Sequence, residues 1–187
     1  MAIFVNYYPC SYGDSLVAMF QGLNKARVNK IVLLNSKKRI WFKKLDFYQS
    51  TVEQQQSLLS TLNPRLITSC HRQHQFDFGK NNIVISIVLD EFHWIGRRYQ
   101  DVHINRLGKT LANPKLIQFQ NKLSIEDLVV YDYKQWAKHN ILDSDVKLPI
   151  STLRNHDAFK SFCNKYNLAF VPAQVDEILY DINKYVV

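Results

Sequence analysis

A chain of 187 residues, 47% hydrophobic and 13% aromatic, holds enough apolar material for one packed domain spanning residues 1–187, and that composition excludes intrinsic disorder. Its 24 Lys and Arg against 16 Asp and Glu leave a net charge of +8, which favours anionic partners such as nucleotides, nucleic acid or an acidic protein. No apolar run reaches the roughly 18 residues of a membrane span. The opening MAIFVNYYPC lacks a basic region ahead of its apolar residues, so a cytoplasmic protein without a cleaved leader and without a membrane partner is expected.

The first predicted element is a β-rich run from Ile3 to Tyr8 that stops at Pro9. A short loop with Ser11, Gly13 and Ser15 follows, and an apolar helix starts at Leu16. A strand, a tight loop containing Gly and Ser, and a helix N-terminus together make an anion site. The first N–H groups of the helix have no partner in the helix, they lie at its positive end, and Gly lets the backbone approach a phosphate. Lys30 to Ser36 reads as a strand buried on both faces, Phe47 to Leu62 as a helix ending before Asn63-Pro64, and Arg65 to Cys70 as a strand with His71 at its end. Asn82 to Leu89 is the strongest strand, and Phe92 to His103 then reads as helical. Ile125 to Tyr133 reads as a further strand. His156 to Tyr166 and Gln174 to Tyr185 read as amphipathic helices.

Strands alternating with helices predict an α/β fold of three layers with a mainly parallel central sheet. Ligands of such sheets sit at the carboxyl ends of the strands, which groups Pro9 to Ser15, His71 and the residues after Leu89 around one crevice. His71 is a candidate general base, set against a structural histidine. Asp90 and Glu91 read as an N-cap and first-turn acid rather than as ribose ligands. Arg97 and Arg98 are candidates for phosphate contact, or for a salt bridge to Asp101. Trp41, Trp94 and Trp136 read as core residues rather than base-stacking platforms. Cys10, Cys70 and Cys163 are odd in number and widely spaced, which fits reduced thiols, with Cys10 placed near a helix N-terminus. His71, His74, His93 and His103 form no HxH or HExxH pattern, so no metal is expected. The basic segment Lys37 to Lys44 (KKRIWFKK) reads as a solvated face or as a surface for polyanions.

The order of these pieces resembles the sulfotransferase-like P-loop family. There a first strand leads into a loop of the type YPKSGTTW that holds the 5′-phosphosulfate of the donor PAPS. Tyr8 to Leu16 is similar, with Pro9, Ser11, Gly13 and Ser15 keeping the loop's character and one residue added. ITSCHRQHQF is similar to the family's strand ending in a catalytic histidine, with His71 in that place. ISIVLDEFHWIGRRYQDV is similar to the strand and helix that bind the donor's 3′-phosphate, and LVVYDYKQWAKH and FKSFCNKYNL are similar to later elements.

The resemblance implies sulfuryl transfer from PAPS to a hydroxyl. His71 would be the base, Ser11, Tyr12, Gly13, Asp14 and Ser15 would form the donor loop, and Arg97 or Arg98 would bind the remaining phosphate. The chain departs from the pattern where the loop lysine is matched by Cys10, the 3′-phosphate arginine by Leu89, and its serine by Arg97 or Arg98. Asp14 adds a negative charge to an anion loop. Those departures keep open a non-catalytic subunit of a larger assembly, viral or other, and a basic nucleic-acid-associated protein.

Overall fold

The structure, a computed structural model, describes residues 2–22, 67–70, 80–91, 93–106 and 122–186. β1 (Ile3–Asn6) lies inside the sheet, with all four residues buried. It pairs in parallel with β2 (Ile67–Cys70) on one side and with β3 (Ile83–Val88) on the other, so that Ile3 stands between Ile67 and Ile83. β4 (Val146–Pro149) adds to β3, again in parallel, with Val146 opposite Ile85. The strand order is β2-β1-β3-β4. From β1 the chain moves outward to β2 and then returns past β1 to β3 and β4. The order therefore reverses between β1 and β3, and the crevice of such a sheet opens at their carboxyl ends.

Helices among the described residues pack against the sheet. They are α1 (Gly13–Phe20), α2 (Ile95–Arg98) running into a π-helical segment (Tyr99–Arg106), α3 (Ile125–Asn140), α4 (His156–Lys165) and α5 (Pro172–Asn183). Consecutive residues of an extended chain point to opposite faces. Tyr7 accordingly lies against Gly13 of α1, whereas Tyr8 reaches α3 and packs edge-on to Tyr133 and Trp136. This is an α/β fold with a parallel sheet packed against helices. The strand expected over Ile3 to Tyr8 is shorter, because the chain diverges after Asn6. The elements read from Lys30 to Ser36 and from Phe47 to Leu62, together with the Lys37 to Lys44 cluster, lie outside the described residues.

Two expectations are corrected. Ile125 to Tyr133 is not a strand but the first half of the 16-residue helix α3. Its buried residues Leu128, Val129, Asp132, Tyr133 and Asn140 fall on one helical face. Ser124 starts it by accepting a hydrogen bond from the Asp127 N–H at 3.1 Å. The single helix expected from Phe92 to His103 begins at Ile95 and changes to π geometry at Tyr99. Gly96 lets α2 cross the start of α3, since a Cβ there would lie 2.5 Å from the Glu126 Cα. β4 and the 3-10 turn Ile150–Arg154 that follows it were not anticipated. α4 and α5 match the expected amphipathic helices to within about two residues per end, the usual margin of helix boundaries.

The layer between the sheet and α3 is tied by buried polar groups. The Asn6 amide donates to Ser86 Oγ at 3.0 Å and to the Asn140 carbonyl at 2.9 Å. Ser86 in turn donates to Asp145 Oδ2 at 2.7 Å, and that oxygen also accepts from the Leu142 N–H at 3.0 Å. The Tyr8 hydroxyl donates to Asp132 at 2.8 Å, and the Leu89 N–H donates to the Tyr133 hydroxyl at 2.6 Å. Burial, reinforced by Asp132, holds the Tyr8 phenol far above its ordinary pKa, so it acts only as a neutral donor. Trp94 is fully buried, as expected of a core residue, and Trp136 packs against that core. Burial raises the Cys163 thiol to about 11, which leaves it unreactive at neutral pH. No helix among the described residues is long and apolar enough to cross a membrane.

Candidate functional site

The loop from β1 to α1 lies at the carboxyl edge of the sheet, beside the point where the strand order reverses. It is a tight turn. The Tyr8 carbonyl accepts from both the backbone N–H of Ser11 at 3.1 Å and its hydroxyl at 2.6 Å. Cys10 and Tyr12 both take left-handed backbone conformations, with φ of 68° and 64°. For residues with a Cβ, each such conformation costs about 1–2 kcal/mol, so contacts elsewhere must hold the loop in place.

Those contacts come from α2 and α5. Arg98 donates from Nη1 to the Cys10 carbonyl at 2.5 Å and from Nε to Asp181 at 3.2 Å, and its guanidinium lies 3.9 Å from the centre of the Tyr12 ring. The Tyr12 hydroxyl donates to the same Asp181 oxygen at 2.6 Å. Burial opposes ionisation of Asp181, but hydrogen bonds from Tyr12 and Lys184 and the nearby Arg98 charge outweigh it and hold the carboxyl below its ordinary range. Burial raises the Tyr12 phenol, and Asp181 adds to that rise. At neutral pH the assembly is therefore an arginine, a carboxylate and a neutral phenol.

Gly13 and Asp14 are both committed to Tyr7. A Cβ at Gly13 would stand 2.0 Å from the Tyr7 ring, so this glycine makes room for an aromatic ring. The Tyr7 hydroxyl donates to Asp14 Oδ1 at 2.6 Å. The first intrahelical bond of α1 runs from Leu16 N–H to the Tyr12 carbonyl at 2.9 Å, and no side chain caps the helix. The N–H groups of Gly13, Asp14 and Ser15 thus precede the helical ladder, with Asp14 and Ser15 exposed.

On the far side of the reversal, polar ties join the end of β3 to the turn after β4. Asp90, after β3, accepts from the backbone N–H of Ser151 at 3.1 Å and from its hydroxyl, and Glu91 pairs with Arg154 at 2.8 Å. Asp90 and Glu91 are thus not the cap and first turn of a helix, as expected; they join β3 to the turn after β4. Nor does either arginine pair with Asp101. Arg97 is exposed and meets Glu126 of α3 at 3.4 Å, while Asp101 is held by Arg106 at 2.5 Å and by the Tyr185 hydroxyl at 2.7 Å.

Of the expected site residues, the structure brings Ser11, Tyr12, Gly13, Asp14, Ser15 and Arg98 together and turns Arg97 towards α3. His71 and His74 lie outside the described residues, although β2 ends at Cys70 on this same edge. Among the described residues no group of His, Cys, Asp and Glu is arranged to hold a metal ion. Sequence reasoning did not find Asp181. Its partner Tyr12 is 169 positions away, and no local pattern signals such a pairing. Compared with protein-family models, with curated proteins and with solved structures, the chain matches none.

Proposed function

We propose that the β1–α1 loop binds a phosphorylated, nucleotide-type ligand in the manner of a sulfotransferase-like P-loop, and that the reaction served is sulfuryl transfer from PAPS to a hydroxyl. One observation carries this reading. The uncapped first turn of α1 sits at the carboxyl edge of an inner parallel strand, beside the reversal in strand order, where unpaired N–H groups and the helix dipole favour an anion. In the reaction the acceptor oxygen attacks sulfur, the bond to the bridging phosphate oxygen breaks, and His71 takes the acceptor's proton. The products are a sulfate ester and adenosine 3′,5′-bisphosphate. The loop's contribution is to position the donor and to stabilise charge on the leaving phosphate.

A specific observation favours a second reading, a binding subunit without catalysis. Cys10 stands where the family's loop has its lysine, and Arg97 and Arg98 are each engaged by a carboxylate of the protein itself. Calorimetric titration with adenosine 3′,5′-bisphosphate tests the site. Micromolar binding is expected, weakened about tenfold or more by Ser15→Glu, whose carboxylate suits a helix first turn but repels an anion there. Absence of binding at millimolar ligand overturns the reading. Binding without sulfate transfer from PAPS to any hydroxyl acceptor selects the second reading.

A further inference from the structure

We infer that Arg98 is a positioning residue: it ties the Cys10 carbonyl to α5 through Asp181 and so sets the direction in which the first N–H groups of α1 point. Three parts of its guanidinium are in use at once. Nη1 holds the Cys10 carbonyl at 2.5 Å, Nε holds Asp181 at 3.2 Å, and the planar face lies 3.9 Å from the centre of the Tyr12 ring. Cys10 and Tyr12 are the two left-handed residues of the loop, so the arginine touches both points where the backbone departs from its preferred conformations. Tyr12 closes the loop of contacts by donating to the Asp181 oxygen that Arg98 also meets. With its side chain only 14% exposed, Arg98 is better placed to fix the loop than to follow a ligand.

A lysine cannot substitute. Its ammonium is a point charge that can pair with Asp181, but it has no planar fork to span carboxylate and carbonyl while stacking on a ring. The role concerns loop conformation. It rests on the proposed phosphate site only for its consequence on ligand affinity, so the experiment reads the two separately.

Hydrogen exchange followed by mass spectrometry on wild type, Arg98→Lys and Arg98→Ala reports the loop directly, and calorimetry with adenosine 3′,5′-bisphosphate reports the ligand. Both variants are expected to exchange faster over residues 10–15, with β3 and α3 unchanged. Their ligand affinity is expected to fall about tenfold, the scale of one hydrogen bond to a charged group. Added ethylguanidinium is expected to restore part of both in Arg98→Ala. Should that variant fail to fold, Arg98→Lys, which keeps the charge, carries the test alone. Wild-type exchange over residues 10–15 in the folded variants overturns the positioning role, whatever the ligand does. Faster exchange in a protein whose wild type binds no bisphosphate sustains the positioning role and removes the phosphate site.

Discussion

Two polar assemblies among the described residues are built on opposite principles. Beneath α3, the Asn6, Ser86, Asn140 and Asp145 group is buried and made of short bonds among amides, a hydroxyl and one carboxylate. It locks β1, β3 and the turn into β4 into one register. At the carboxyl edge, Arg98, Asp181 and Tyr12 use charge and an aromatic face to hold a backbone that departs from its preferred conformations, and Asp14 and Ser15 in the first turn of α1 remain exposed. The buried assembly turns its groups to one another and so acts on stability. The edge assembly leaves donors available, and strain held by distant contacts is where function is sought.

Breaking the buried side of this contrast should have the largest effect. Asp145→Ala deprives the buried Ser86 hydroxyl and the partly buried Leu142 N–H of that acceptor, and an unsatisfied buried donor costs about 1–3 kcal/mol. A loss of about 3 kcal/mol is expected by denaturant unfolding, with ligand affinity of the folded protein unchanged. A loss below about 1 kcal/mol would erase the distinction between the two assemblies.

Gly13→Ala should rank next. Its Cβ meets the Tyr7 ring, so the ring must shift and its bond to Asp14 breaks, at about 2 kcal/mol in thermal unfolding. Unlike Asp145→Ala, it should also weaken adenosine 3′,5′-bisphosphate binding.

The edge assembly should then show itself in acid. Asp181 titrates below its ordinary 3.8 in the folded protein, so its contribution is fully present above the unfolded value and is lost as pH falls through the folded one. The stability gap between wild type and Asp181→Asn should hold steady above about pH 5 and close progressively below about pH 4. A gap that persists in strong acid would mean that the carboxylate charge is not what holds α5 to the loop. Arg97→Ala should have the smallest effect, about 0.5 kcal/mol or less, because its pair with Glu126 is exposed. If Arg97→Ala weakened ligand binding as much as Arg98→Lys, the division between the two arginines would fail.

The difference between what could and could not be read follows from the range of the interactions. β1 and β3 announced themselves as β-branched, apolar runs, and α4 and α5 as apolar residues three and four apart, all of them local signals. The first half of α3 reads as a strand because its buried face includes Asp132 and Asn140, whose polarity hides the helical stripe, while Ile125, Val129, Val130, Tyr131 and Tyr133 favour strands by composition. The overlooked signal was Ser124 with Asp127 three positions on, a pairing close to the capping box. β4 is only four residues long, lies beyond β3 and ends in Pro149, so it carried almost no pattern. In the candidate site, the loop and both arginines were named from the sequence, but the arginines' partners were not.

By itself the sequence determined the α/β class, the parallel sheet and the placing of Pro9 to Ser15 after the first strand, since these rest on periodicity within a few residues. Only the tertiary structure decided the strand order, the helical state of α3 and the clamp on the loop. That clamp joins Arg98 to Cys10 across 88 positions and to Asp181 across 83, distances over which no local preference acts and only packing selects the partner.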